Sequence, residues 1–213
     1  MKKLLLKLSW VLYFIIQMTF TAKAQEEMNE KIIEDTSWKS NYRSFASKEN
    51  DLVHTKLVAN FDYTQSQLNG EVWLQLRPHF YATAQLILDA KGMDIHQVSI
   101  VKNETKNTLK YNYDGKVISI DLDKTYSANE PYTVYIKYTA KPNEYKAKGS
   151  NAITDAKGLY FINPLGKEKN KPTQIWTQGE TEGTSVWIPI IDKPNQKCTQ
   201  EFYLNVPSKY VSL

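Results

Sequence analysis

From Asp51 onward the apolar residues recur at every second position, the spacing that puts alternate side chains on one face of a strand. Leu57, Ala59, Phe61 and Tyr63 alternate with Lys56, Asn60 and Asp62, and Val72, Leu74 and Leu76 alternate with Glu71, Trp73, Gln75 and Arg77. Between these runs lies Gln67-Leu68-Asn69-Gly70, and Asn-Gly is a strong short-range turn signal. An antiparallel hairpin is therefore expected, with its turn at Asn69-Gly70. Further short runs of the same kind occupy residues 85–89, 97–101, 109–113, 117–122, 132–138, 158–162 and 201–206. Asp114-Gly115 predicts a second tight hairpin, and Asn129-Glu130-Pro131 marks another turn. Many short strands, frequent turn signals and no long helical period predict an all-β chain, an antiparallel β-sandwich or saddle-shaped sheet. Fourteen Tyr and five Trp suit its half-buried pleated surfaces. The stretch 140–156 reads as an exposed excursion.

The chain before Asp51 has a different character. Residues 1–24 carry a basic start (Lys2, Lys3, Lys7), an apolar centre and Ala22-Lys23-Ala24, the pattern of a secretory signal peptide. The apolar run is shorter than the roughly 20 residues that a membrane span takes. A secreted or periplasmic product with no stable membrane anchor after cleavage is expected. No Cys stands at the cleavage point, which leaves a lipid anchor unsupported. Residues 25–50 are charged and irregular and read as a leader arm. The leader also decides the charge argument. It holds four of the 27 basic residues and no acid, so the remainder balances at 23 against 23 and the formal +4 disappears. No clustered excess of Lys and Arg remains to suggest nucleic-acid binding.

Chemistry-bearing motifs are sparse. His54, His79 and His96 are scattered through strand sequence without a second ligand at helical or hairpin spacing, and there is no His-Glu-x-x-His. They read as strand-surface or core histidines. Asp121-Leu122-Asp123 lacks the Gly and later Glu of a calcium loop and reads as a strand end. The single Cys198 has no partner for a disulfide and reads as a buried thiol. No phosphate loop or nucleophile elbow is present. Asn103-Glu104-Thr105 fits a glycosylation sequon, which says only that its loop is exposed.

The least ordinary passage is residues 176–194, where Glu180 and Glu182 sit among small hydroxylated residues and Gly, closed by Pro189-Ile190-Ile191-Asp192-Lys193-Pro194. The prolines fix φ and hold this ending as scaffold. The residues alone leave two readings open: a solvated edge with two surface acids, or a carboxylate at Glu180 suited to a bound ammonium. Gln178 would stand beside that carboxylate, and Gly179 would allow close approach. Glu182 reads as surface.

Thr177-Gln178-Gly179-Glu180, followed at the right interval by Pro189-Ile190-Ile191-Asp192-Lys193-Pro194 and Lys197, resembles the Thr-Gln-x-Glu and Phe-Pro-Cys-x-Asp-x-Pro elements of the zinc-dependent aminopeptidases of the aminopeptidase N type. Leu68-Asn69-Gly70, Gly158-Leu159-Tyr160 and Phe202-Tyr203-Leu204-Asn205-Val206-Pro207 extend the likeness over residues 51–213. The resemblance implies that Glu180 binds the free α-amino group of a peptide substrate and that Gln178 lines the pocket for its first side chain. It implies zinc in the intact enzyme. The Gly-x-Met-Glu-Asn and His-Glu-x-x-His elements belong to a following domain, so this chain is expected to be an N-terminal fragment that binds no catalytic zinc and is inactive alone. Ser185 stands where many members have Arg, Ile190 where many have Cys, and Lys193 where Glu is common. These departures put a local ion pair in doubt. The alternative is a freestanding secreted β-sandwich that binds protein or glycan through its aromatic residues.

Overall fold

A computed structural model describes residues 47–146 and 156–212. The signal-peptide reading, nearly all of the leader arm and the centre of the 140–156 excursion lie outside those residues. Within them the chain runs β1 (Asn50–Asp62), β2 (Gln67–Pro78), β3 (Thr83–Asp89), β4 (Met93–Lys102), β5 (Thr105–Thr108), β6 (Lys110–Tyr113), β7 (Val117–Tyr126), β8 (Tyr132–Ala140), β9 (Leu159–Ile162), β10 (Gln174–Thr177), a single 3₁₀ turn (Thr184–Val186) and β11 (Thr199–Asn205). The expected all-β class is found. No described helix is long and apolar enough to cross a membrane.

Six strands form one sheet in the order β11-β1-β2-β8-β4-β5, and β3-β7-β6 form a second. Every pairing is antiparallel except β1 with β11, which is parallel. The alternation along β2 and β8 sends Leu68, Val72, Leu74 and Leu76, and Val134, Ile136 and Tyr138, to one buried face. Leu86 and Leu88 of β3 and Ile118 and Ile120 of β7 join the same apolar cluster, so the two sheets bury one another's inner faces. This area removed from water is the main favourable term in folding.

The first hairpin forms, but its turn is not at Asn69-Gly70. The chain reverses at Tyr63–Ser66, where Asp62 Oδ1 accepts the amides of Thr64 (2.8 Å) and Gln65 (3.0 Å) and Ser66 takes a positive φ of 55°. Asn69 and Gly70 lie inside β2, opposite Asn60 and Ala59. The physical reason for Gly70 is Tyr138 of β8, whose Cζ would stand 2.4 Å from a Cβ there. A strand glycine of this sort marks a close approach rather than a turn. The Asp114-Gly115 hairpin forms as expected, with Gly115 at φ +88° and Asp114 Oδ1 accepting from Lys116 and Val117. Asp121 and Asp123 lie within β7 rather than at its end, and Asp123 pairs with Lys102 across the fold.

Asp51, in β1, gathers Lys48 (2.8 Å), His79 (2.9 Å) and Arg77 (3.1 Å) around one carboxylate. Partial burial alone would raise its pKa, but the hydrogen bonds from Lys48, His79 and Arg77 outweigh burial and hold it at about 2. A carboxyl whose folded pKa is depressed stabilises the fold above its unfolded pKa and loses that contribution as pH falls through the folded one. The loss therefore falls between about pH 4 and pH 2. Asp51→Asn is expected to destabilise the domain by roughly 1–2 kcal/mol at pH 6 and by little at pH 2. Urea unfolding at both pH values checks this, and an equal loss at the two would refute it.

Candidate functional site

The segment that carries Glu180 is built on the β9–β10 hairpin. Tyr160 pairs with Trp176 and Leu159 with Thr177, and the Tyr160 and Trp176 rings stack at 4.4 Å with planes 10° apart. Gln178 N donates to Gly158 O (2.9 Å) and extends this ladder by one bond. The chain then folds back, with Gly183 N donating to Gly179 O (2.9 Å), and enters the 3₁₀ turn. Gly158 has φ +71°, and a Cβ on it would lie 1.9 Å from Gly183 O; a Cβ on Gly183 would lie 2.8 Å from Gln178 O. Two backbones thus cross here at a distance only glycine permits. Gly179, the glycine singled out from sequence, is less constrained: its nearest neighbour is Thr184 Oγ1 at 3.1 Å. Beyond the turn, Ile190 exchanges two backbone bonds with Asp89 at the end of β3 (2.8 and 3.0 Å). The proline-flanked ending is therefore anchored to the smaller main sheet.

The loop brings the two predicted site residues together. Gln178, half-buried, donates from Nε2 to Glu180 Oε2 at 3.2 Å, and Glu180 is exposed. The amide steers the carboxylate, and a carboxylate has lone pairs for further donors. Such a pair, held on a constrained backbone, can accept a cationic donor from solvent.

Glu182 is not the bare surface acid that the sequence suggests. Lys193 Nζ donates to its Oε1 (2.8 Å), Lys91 Nζ donates to its backbone carbonyl (2.7 Å) and lies 3.9 Å from Oε2, and Ser185 Oγ also donates to that carbonyl (3.2 Å). Lys193, one of the departures from the family pattern, thus makes an ion pair of its own with Glu182. Burial by itself would depress the Lys193 ammonium, but Glu182 and nearby Asp89 raise it. Asp192 accepts the Ser185 amide (2.8 Å), and burial pushes its carboxyl above the usual range. Lys91 carries no sequence signal for this role; it becomes visible only when the β3–β4 turn and the 182–193 segment meet.

Cys198 is half-buried, with Sγ 3.8 Å from Thr55 Oγ1 and from Gln200 Nε2. The histidines lie apart: His54 against Thr199 and Glu201, His79 against Asp51, and His96 against Thr139. Among the described residues no three His, Cys, Asp or Glu side chains converge as metal ligands.

The fold defines a two-layer antiparallel β domain with one amide-steered carboxylate on a glycine-pinned loop. The chain belongs to the family described as the Peptidase M1 N-terminal domain, whose model matches residues 38–213. It is similar to leucine aminopeptidase 2 of Neosartorya fischeri, 26% identical over 166 residues that make up 76% of this chain and 25% of the relative. Its fold matches an M1 zinc metallopeptidase from Deinococcus radiodurans (TM-score 0.60, 16% identity, 78% of this chain and 35% of that one). It also matches leukotriene A4 hydrolase from Saccharomyces cerevisiae (TM-score 0.54, 18% identity, 82% and 28%). A further Deinococcus radiodurans structure, of a variant enzyme, contains a Tyr-Ser-Ala substrate (TM-score 0.57, 14% identity, 76% and 34%). The chain thus spans about a quarter of the curated relative and about a third or less of the solved structures it matches.

Proposed function

We propose that this chain is the N-terminal, substrate-amine-anchoring domain of an exported zinc metallo-aminopeptidase that removes N-terminal residues from peptides. The observation that carries this reading is the Gln178–Glu180 contact at 3.2 Å on a loop pinned by Gly158 and Gly183, in a chain of the M1 N-terminal family. A fixed carboxylate forms a charge-assisted hydrogen bond with a substrate's free ammonium. An internal or N-blocked peptide has no such charge and leaves the carboxylate without its partner, which gives exopeptidase selectivity by difference. Gln178, beside the anchor, lines the space for the first side chain. Zinc and the bond-breaking machinery are assigned to a catalytic domain, so the purified chain is inactive on its own, and export is assigned to residues 1–24. Family membership favours this reading over a freestanding binding module.

The test uses the full-length enzyme that carries this domain. Glu180→Gln keeps the shape and removes the charge, and a hydrogen bond to a charged group contributes roughly 1.5–3 kcal/mol. The specificity constant for unblocked peptides is therefore expected to fall about 10- to 100-fold. Steady-state kinetics on an unblocked dipeptide amide measures it, and an unchanged kcat/KM would remove Glu180 from the site.

A further inference from the structure

Resting on that reading, we infer that Glu182, Lys91 and Lys193 are positioning residues that hold the amine-anchoring loop in its binding geometry. Glu180 lies on the segment 179–183, between two fixed points, the Gln178–Gly158 ladder bond and the 3₁₀ turn at Thr184–Val186. The segment contains a single backbone bond of its own, Gly183 N to Gly179 O. Such a segment would keep much of its conformational freedom, and ordering it carries an entropic cost. What restrains it is grafted on from elsewhere. Lys91, from the turn after β3, reaches the Glu182 carbonyl at 2.7 Å, and its side chain is only 20% exposed. Lys193, from the proline-flanked ending, reaches the Glu182 carboxylate at 2.8 Å while standing 4.0 Å from Asp89.

Each contact ties the loop to the end of β3. Asp89 exchanges backbone bonds with Ile190, its carboxylate accepts the Asp192 amide (3.1 Å), and Lys91 N donates to Ser185 O (2.7 Å). Two cations therefore converge on one residue, Glu182, through two different groups, its carbonyl and its carboxylate. A surface acid that merely met a lysine would engage one. Glu182 lies two residues from Glu180, so the network fixes the backbone next to the anchor without occupying the anchor's own carboxylate. Positioning of this kind saves the ordering cost at the moment of binding and so acts on substrate affinity.

The test is made in the full-length enzyme with an unblocked dipeptide amide. Lys91→Met and Lys193→Met are expected to raise KM about fivefold or more, the size of a direct coupling between contacting groups, with kcat within about twofold. Lys193→Arg retains the pair and should restore KM. In a Glu180→Gln background the same lysine changes should add nothing, because no anchor is left to position; an undiminished additional loss there would show a general structural role and overturn the inference. A normal KM in both lysine variants would overturn it as well, provided Glu180→Gln is impaired. If Glu180→Gln itself is normal, the amine-anchor reading falls first and the positioning role falls with it. The full-length enzyme gives an independent readout: hydrogen exchange at the Gly183 amide should speed up at least about fivefold in Lys91→Met. Unchanged protection there would show that the lysine does not hold the loop.

Discussion

Gly158→Ala is expected to destabilise the domain by about 3 kcal/mol or more, and to unseat the loop that carries Glu180. Two separate costs add at this position. At φ +71° an alanine gives up roughly 1–2 kcal/mol to the left-handed backbone. Its Cβ would also lie 1.9 Å from Gly183 O and 2.8 Å from Gly183 C. Neither of those atoms belongs to a side chain that could swing away, so one of two backbones must move. Moving Gly183 threatens its bond to Gly179 and the Gln178 bond to Gly158. Gly115→Ala separates the two costs, because Gly115 also has positive φ, +88°, but nothing lies within 4 Å of the added Cβ. It should lose only the backbone term, about 1–2 kcal/mol. Urea unfolding of the two variants side by side gives the comparison, and equal losses would show that the Gly158–Gly183 crossing is looser than its geometry.

That crossing also shows what the sequence could and could not disclose. The period-two alternation of β1, β2, β7 and β8 is a property of each strand alone, so the all-β class and most strands follow directly from the residues. β5 and β10 are not foreseeable in this way, because the exposed polar Thr105–Thr108 and the mixed Gln174–Thr177 carry no alternation to read. Asn69-Gly70 misleads for the opposite reason: its local signal is strong, but Tyr138, distant in sequence and paired with Gly70 on the neighbouring strand β8, needs the space that a missing Cβ leaves. The true turn is written in Asp62, whose side chain caps the reversal. At the site, the proximity of Gln178 and Glu180 is legible because it is local. Glu182 could not be weighed from sequence, since Lys91 reaches it only after β3 and the 182–193 segment have been brought side by side. Motif likeness singled out Glu180 as the proposed anchor, whereas only tertiary packing brings Lys91 and Lys193 to the neighbouring Glu182.

The second large effect is expected at Tyr138, and it links the core to that same segment. Tyr138 is fully buried, its ring fills the space above Gly70, and its hydroxyl donates to Trp187 O at 2.8 Å. Burial raises the phenol pKa far out of reach, so the hydroxyl remains a donor at every working pH. Tyr138→Ala should cost about 3–5 kcal/mol through the cavity left by the ring. Tyr138→Phe keeps the ring and removes only the donor, leaving the Trp187 carbonyl without it, for about 1–3 kcal/mol. Denaturant unfolding of the pair apportions ring and hydroxyl. Gly70→Ala should behave differently in two backgrounds: in the wild type its Cβ would meet Tyr138 Cζ at 2.4 Å, whereas in the Tyr138→Ala variant the clash is gone and the methyl enters the vacated space. The double variant is therefore expected to be less destabilised than the two single losses added together, by about 1 kcal/mol or more. Strict additivity would mean that the strand glycine is not there for the ring. Because Trp187 directly follows the 3₁₀ turn, Tyr138→Phe also loosens the far end of the anchor loop, and protease cleavage between residues 178 and 188 should quicken in it while cleavage at the Gly115 hairpin stays unchanged.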